Sequence, residues 1–176
     1  TSFVLSNIEI TGNKTTKERI VLREVSFNTK DTILFSDTAK HISKTENNLL
    51  NTSLFNFIKV TFVDTLDSWV ARIKLQERWY LWPQVAIKFQ DRNFSEWWKT
   101  RNFSRIEYGL IVNRNNFLGL NQTVQGQFYY GFTKKVGFKY HIPYLTKKQK
   151  GGLKIGFGYG TQNEVFSGLN ENRMVY

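Results

Sequence analysis

The distribution of apolar and polar positions changes character at residues 75–83. Before this stretch, strand-like and helix-like patterns alternate at short range. After it, apolar and polar residues alternate with a period of two, and glycines and aromatic residues become frequent. A period of two is typical of β-strands with two chemically different faces. The pattern therefore predicts a small α+β domain over residues 1–78, followed over residues 79–176 by the beginning of a much larger β-sheet.

The first domain opens with a predicted strand over residues 3–11 and a helix over about residues 16–25. The apolar face of the strand comprises Val4, Ile8 and Ile10. The pair Gly12-Asn13 ends the strand, because both residues tolerate a positive φ. The segment from Thr15 to Glu18 matches a capping box, in which the two side chains would bond each other's free backbone amides.

A second helix is predicted from about residue 37 to residue 51, because apolar residues recur there at helical spacing. These residues are Ala39, Ile42, Leu49 and Leu50. Two strands follow at residues 55–63 and 68–76, joined by a hairpin. The predicted order is therefore β-α-α-β-β, a three-stranded sheet covered on one face by two helices, with the strand at 55–63 on its edge.

Five strands are predicted in the second domain, and residues 170–176 have the pattern of a sixth. The five lie at about residues 85–90, 105–113, 124–132, 136–142 and 153–159. Strands of about ten residues with aromatic residues near their ends are the signature of a transmembrane β-barrel. A soluble antiparallel meander with one solvated face has the same pattern. The alternation alone leaves both interpretations open.

Charge and composition narrow the classes of partner. The 176 residues carry a formal net charge of +11, which disfavours cationic partners and allows nucleic acid, anionic lipid and acidic proteins. A cluster at Lys147, Lys148, Lys150 and Lys154 is interpreted as a solvated loop. There is no cysteine, which excludes disulfides and thiolate metal sites. No run of about 18 apolar residues exists, so the sequence predicts no transmembrane helix.

The sequence contains no catalytic constellation. Its two histidines, His41 and His141, have no partners at the spacing of a zinc site or a catalytic triad. The glycine-rich segment at residues 156–160 lies in a strand pattern with no helix after it, which argues against a phosphate-binding loop. We therefore expect no enzymatic activity, no catalytic residues and no metal site.

Two segments of the first domain carry a resemblance to a known family: residues 8–16 (IEITGNKTT) and 48–60 (NLLNTSLFNFIKV). They combine a strand ending in Gly-Asn with a helix that ends before a Leu-Phe pair and a strand. With the β-α-α-β-β order, this combination resembles a POTRA domain, the periplasmic module of the BamA/TamA-like outer-membrane assembly superfamily (bacterial surface antigen). One position departs from the motif, because Ser53 stands where many members have glycine.

Four further segments resemble those of short members of this superfamily that have one POTRA domain. They are residues 77–80 (ERWY), 91–94 (DRNF), 116–119 (NFLG) and 142–144 (IPY). In that superfamily the barrel directly follows the last POTRA domain. The resemblance therefore implies that residues 79–176 are about the first third of a barrel in the bacterial outer membrane, with residues 1–78 in the periplasm.

The resemblance also implies a function, the insertion or assembly of outer-membrane proteins. Its partners would be unfolded outer-membrane protein clients, outer-membrane lipid and accessory assembly subunits, without nucleic acid, nucleotide or metal cofactor. An edge strand would receive client strands by β-augmentation, and the seam at the first barrel strand would template insertion. The implied edge residues are Phe55, Phe57, Ile58, Lys59, Val60 and Thr61, and those of the first barrel strand are Val85, Ile87 and Phe89.

Three tryptophans, Trp82, Trp97 and Trp98, have two interpretations. They are predicted to lie at the membrane interface, where tryptophan is enriched. The alternative is a hydrophobic plug between the domain and the sheet.

Two other functions stay open from the sequence. The first is a pore of the same superfamily that secretes a partner polypeptide. The second belongs to a different class, a basic RNA-binding α+β protein that stacks bases on exposed aromatic residues. The alternation over residues 124–159 is not explained by RNA binding, and dependence on detergent would separate the two classes.

Overall fold

A computed structural model of the chain describes residues 1–65, 68–89, 94–101, 103, 106–146, 151–162, 168–170 and 173–175. Its elements are β1 (Ser2–Thr11), α1 (Glu18–Glu24), β2 (Thr32–Leu34), a 3-10 turn (Phe35–Asp37), α2 (Thr38–Asn51), β3 (Phe55–Thr65), β4 (Ser68–Glu77), β5 (Leu81–Phe89), α3 (Phe94–Thr100), β6 (Ile106–Phe117), β7 (Gln122–Gly131), β8 (Thr133–Ile142), β9 (Leu153–Gln162), β10 (Gly168–Asn170) and β11 (Arg173–Val175). Three sequence features lie outside the described residues: the hairpin tip at 66–67, the DRN segment within 90–93 and the lysines within 147–150.

The chain divides into two compact units. The N-terminal unit comprises Thr1–Tyr80 together with Asn116–Gln122, and the sheet unit comprises Leu81–Asn115 and Thr123–Tyr176. The turn between β6 and β7 therefore belongs to the N-terminal unit, although it is distant from that unit in sequence.

The sheet of the N-terminal unit has four strands in the order β2-β1-β4-β3. β1 runs parallel to β4, and β3 pairs antiparallel with β4. The predicted β-α-α-β-β order with three strands is wrong in one respect, because β2 pairs antiparallel with β1 through Thr32–Leu34. Three residues are too few to show a period of two, so the sequence pattern gave no signal for this strand.

A bulge in β1 decides which side chains reach the core. Leu5 pairs with Trp69 and Asn7 with Val70, so one extra residue interrupts the register. The alternation of side chains therefore changes phase at this point. Phe3 and Leu5 are buried before the bulge, and Ile8 and Ile10 pack against the core after it. Val4, which was predicted on the core face, is exposed.

One hydrophobic core holds the N-terminal unit together. Its fully buried side chains come from both helices and three strands: Leu5, Val21, Leu49, Phe55, Ala71 and Ile73. Full burial of a large aliphatic or aromatic side chain stabilises a fold by about 1.5–3 kcal/mol. Leu50 was predicted on the same side of α2 as Leu49, but its side chain is 44% exposed.

The sheet unit contains five strands in the order β5-β6-β7-β8-β9, as the five predicted strands required. The pairing of β5 with β6, of β7 with β8 and of β8 with β9 is antiparallel. The first strand begins earlier than predicted, at Leu81, and includes Pro83. Proline lacks a backbone N–H, and an edge strand such as β5 tolerates that loss.

The C-terminal end of the predicted third strand and the predicted sixth segment both differ from the prediction. The alternation predicts a third strand that extends to residue 132, but β7 ends at Gly131, whose φ is +116°, and the Phe132 side chain is buried. Residues 168–170 and 173–175 form a separate antiparallel pair, β10 with β11.

Candidate functional site

β3 lies on the edge of the sheet in the N-terminal unit, as predicted. Its implied client-binding residues share one strand but differ in exposure: Phe55 and Val60 are buried, Ile58 and Thr61 are half-buried, and Phe57 and Lys59 are exposed. Val60 belongs to the core, and Ile58 and Phe62 pack against it. Alternate side chains of β3 therefore pack into or against the hydrophobic core. A partner strand that paired with this edge would form hydrogen bonds with the backbone of β3.

One backbone donor of this edge already has a partner. The Val60 N–H donates to Glu46 Oε1 on α2 at 2.9 Å. Successive residues of a strand direct their N–H groups to opposite sides. The Val60 N–H does not point toward β4, so the N–H groups of Ile58 and Phe62 also face the outer edge.

Glu77, the last residue of β4, binds the segment before α1. Its carboxylate accepts the Thr16 N–H at 2.6 Å and the Thr15 N–H at 2.9 Å. The predicted capping box is therefore wrong: Lys17 is the N-cap of α1, and no side-chain bond caps this helix. A carboxylate distant in sequence satisfies the amides at this end in place of Glu18.

A buried polar network extends from Thr16. The Asn116 side chain donates to the Thr16 hydroxyl at 2.8 Å, and the Tyr80 hydroxyl lies 3.2 Å from the same oxygen. Tyr80 donates its single proton to the Leu54 carbonyl at 3.0 Å, so the Thr16 hydroxyl donates to Tyr80. Each member of this network has a partner, as buried polar groups require.

The turn between β6 and β7 fits closely against the same segment. The Gly119 carbonyl accepts the Lys17 N–H at 3.0 Å. Gly119 has a φ of +72°, and any side chain there would collide with the Thr15 carbonyl oxygen. Glycine is therefore required for both the turn and the close approach.

Two groups of this network have shifted pKa values. Burial raises the pKa of the Glu77 carboxyl, but the hydrogen bonds from Thr16 and Thr15 outweigh it, and the net pKa lies below the ordinary glutamate value. Burial raises the pKa of the Tyr80 hydroxyl, and the nearby Glu77 charge adds to the increase. Glu77 is therefore an anion and Tyr80 a neutral donor at neutral pH.

One face of the five-stranded sheet is an exposed apolar surface. Directly paired residues such as Val85 and Leu110, Ile87 and Tyr108, and Phe138 and Phe157 put apolar side chains side by side. Exposed apolar side chains on all five strands contribute to it: Val85, Ile87, Phe89, Tyr108, Leu110, Phe128, Tyr130, Val136, Phe138, Leu153, Ile155, Phe157 and Tyr159. Soluble monomers rarely expose a contiguous apolar surface of this extent.

The opposite face of the sheet is polar. The Lys88 ammonium lies 3.4 Å from the carboxylate of Glu107, a residue that is 5% exposed, and 4.9 Å from the centre of the Tyr129 ring. The Gln125 side chain donates to Asn113 at 2.7 Å. An open cavity of about 690 Å³ on this face is lined by polar and basic side chains together with apolar ones, the basic residues being Lys135, Lys139, His141 and Lys154. The strands thus alternate between an apolar and a polar surface.

The three tryptophans do not form one surface. Trp82 and Trp98 are exposed, whereas Trp97 is 8% exposed. The Trp97 ring packs against Phe89, Phe94, Trp98 and Phe103 at centroid distances of 4.7–6.3 Å. Trp97 is therefore the centre of an aromatic cluster, and the position of the three tryptophans at a membrane interface stays a prediction.

Within the described part of the chain, no group of three or more His, Cys, Asp or Glu side chains has the geometry of a metal site. No helix among these described residues has the length and apolar character needed to cross a membrane.

The comparisons with known proteins establish the fold. No sequence profile of a protein family and no curated protein matches the chain. BamA from Haemophilus ducreyi lacking POTRA domains 1–3 has a similar structure, with a TM-score of 0.69 and 16% identity over 91% of this chain. This chain spans 28% of that BamA chain. CdiB from Acinetobacter baumannii aligns over 79% of this chain and 25% of its own, with 13% identity and a TM-score of 0.41.

Proposed function

We propose that the protein acts in the insertion or assembly of outer-membrane proteins. The N-terminal unit is a POTRA domain in the periplasm, and β5–β9 are the first strands of a barrel in the bacterial outer membrane. The role is not enzymatic and needs no nucleotide or metal. Its partners are unfolded outer-membrane protein clients, outer-membrane lipid and accessory assembly subunits.

The observation that carries this proposal is the two-faced sheet that directly follows an α+β unit. A surface of exposed Phe, Tyr, Ile and Val side chains is unfavourable in water, at about 25 cal/mol per Å² of apolar area. In lipid the same surface has no such cost. A sheet in a bilayer must also close on itself, because unpaired strand edges cannot be hydrated there. The fold shared with BamA supports the same conclusion.

The edge of β3 supplies the proposed client contact. β-augmentation relies on backbone hydrogen bonds, so it accepts many sequences. An insertion protein with many unrelated clients needs such a contact. Phe57 and Lys59, both exposed, would face the added strand's side chains on the solvent side of the sheet.

The first barrel strand supplies the proposed seam. β5 is at the edge of the described sheet and pairs on one side only, with β6. In a closed barrel its other side, along Val85, Ile87 and Phe89, would meet the last strand. We propose that this seam opens and templates the first strand of a client.

Depletion of the full-length protein in its host tests the proposal. We expect many unrelated β-barrel proteins to lose their folded, heat-modifiable form in the outer membrane. Loss of one exported polypeptide with normal levels of all barrel proteins would favour the secretion pore. A protein that purifies from the aqueous fraction without detergent and binds RNA would contradict both membrane functions.

A further inference from the structure

We propose that Glu46 is a displaceable cap on the edge of β3, and that an incoming client strand must displace its carboxylate to pair with the Val60 amide. This inference rests on the proposed function, because it concerns the edge through which client strands would bind.

The geometry of α2 brings the Glu46 carboxylate to the edge. The residues around Glu46 anchor the helix: Thr45 and Leu49 are fully buried, and the Thr45 hydroxyl accepts the Ser26 N–H at 3.2 Å. The Asn48 side chain donates to the Glu24 carbonyl at 3.0 Å. Glu46 itself is half-buried, and its Oε1 lies 2.9 Å from the Val60 nitrogen. A fixed helix thus holds the carboxylate within reach of one strand donor.

The cap covers one outward donor of β3, and outward donors flank it on both sides. The N–H groups of Ile58 and Phe62 face the same side as that of Val60. Among the described residues, no side chain bonds either of these two amides. A client strand therefore finds open donors on both sides of a blocked one.

An open strand edge can pair with any extended chain, because its N–H and C=O groups are unpaired. Proteins therefore need a feature that limits unwanted pairing at such an edge. A hydrogen bond from an amide to a carboxylate is roughly twice as strong as one between neutral groups. A client carbonyl at Val60 thus replaces a stronger bond with a weaker one. Binding then requires several bonds at once, so the cap selects extended strands over segments that offer a single contact.

Peptide binding to the full chain in detergent micelles tests the cap. The probe is a synthetic peptide with the sequence of β7, residues 122–131 (QTVQGQFYYG), which carries no charged side chain. In Glu46→Ala the peptide meets an open Val60 amide, and we expect its Kd to fall by about tenfold. The charge-matched control is Glu18→Ala, at an exposed position of α1, which should leave the Kd unchanged.

A second variant locates the effect on the edge. Val60→Pro removes the outward N–H and places the proline ring in its position. In the Glu46→Ala background it should abolish the gain in affinity. Hydrogen exchange at the Val60 amide gives an independent measurement without this proline: exchange should be faster in Glu46→Ala than in the wild type, and the peptide should slow it.

The outcomes separate the cap from the proposed function. Equal affinity of wild type and Glu46→Ala, with peptide protection of the Val60 amide in both, overturns the cap and leaves the edge as the client site. No binding to either protein overturns the cap and the proposed edge contact together. An increase in peptide affinity that is the same in Glu46→Ala and Glu18→Ala also overturns the cap, because it would result from the loss of one negative charge at any position.

Discussion

The Glu77 carboxylate at the end of β4 accepts the backbone N–H of Thr16 at 2.6 Å, although the two residues are 61 positions apart. The bond joins the strand that leads out of the N-terminal unit to the segment before α1. The side chain of Thr16 in turn contacts Asn116 and Tyr80. A single threonine therefore connects β4, the start of α1 and the C-terminal end of β6.

Substitution of Glu77 tests the energetic role of this bond. Glu77→Gln replaces the charged acceptor of the hydrogen bonds from the Thr15 and Thr16 N–H groups with a neutral amide. We expect the free energy of unfolding at pH 7 to fall by about 1–2 kcal/mol. The pKa of Glu77 is lower in the folded than in the unfolded chain. Its stabilisation is therefore present above the unfolded pKa and is lost as the pH falls through the folded pKa. Denaturant unfolding at a series of pH values measures both effects.

The matched control for this prediction is Glu18→Gln. A capping box would give Glu18 a comparable role, whereas the structure has no side-chain cap at α1. We expect a change below about 0.5 kcal/mol, which is usual for surface substitutions. A larger loss in Glu18→Gln than in Glu77→Gln would contradict the assigned contacts.

Adjacent leucines of α2 provide a test of the core. Leu49 is fully buried, so Leu49→Ala should cost about 2–5 kcal/mol through lost burial and the cavity it leaves. Leu50 is exposed, and Leu50→Ala should cost less than about 1 kcal/mol. Chemical denaturation monitored by tryptophan fluorescence gives both values. Similar costs for the two substitutions would show that α2 is rotated from its position in this structure.

The residue that departs from the POTRA-like motif is a candidate for stabilisation. Ser53 follows the end of α2 with a φ of +58°, in the left-handed region that glycine adopts without strain. Ser53→Gly should raise the free energy of unfolding by up to about 1 kcal/mol, since relief of strain exceeds the added chain entropy. Ser53→Val should lower it. A thermal melt in which the order of these two variants is reversed would contradict the turn conformation.

The sequence predicts those features of the fold that depend on neighbouring residues, and it misses those that depend on contacts between residues distant in sequence. The alternation from residue 124 to 159 predicted three strands, because a period of two is a local property of the chain. The phase of β1 was wrong because one extra residue near Ser6 shifts the register against β4, and a bulge leaves no mark in the hydrophobic pattern. Thus Val4 was assigned to the core in place of Phe3 and Leu5.

The candidate site was less predictable for the same reason. The edge position of β3 follows from the order of elements, but the contact of Glu46 with Val60 depends on how α2 crosses the sheet. The bond from Thr16 to Glu77 likewise has no local signal. Trp97 and Trp98 are adjacent and chemically identical, and Phe94 contacts both of them. Contacts with Phe89 and Phe103 accompany the burial of Trp97, whereas Trp98 is exposed.

Cysteine labelling tests the orientation of the sheet in a membrane. Single cysteines at Phe128, Tyr130, Phe138 and Tyr140 should resist a bulky aqueous reagent in native membranes, because the strand register puts them on the same face as Val136, Ile155 and Phe157. Cysteines at Gln125 and Lys139, on the polar face, are the controls and should react faster. Equal labelling of both sets would indicate that the apolar face is in water.

Insertion of a client by the purified protein tests the central claim most directly. The full-length protein is reconstituted in liposomes, and an unfolded β-barrel protein from the same host is added. We predict that the folded, protease-resistant client forms several times faster than in empty liposomes, and that Val60→Pro in the edge of β3 lowers this rate toward that of empty liposomes. A rate equal to that of empty liposomes, from a protein shown to be folded and inserted, would contradict the account.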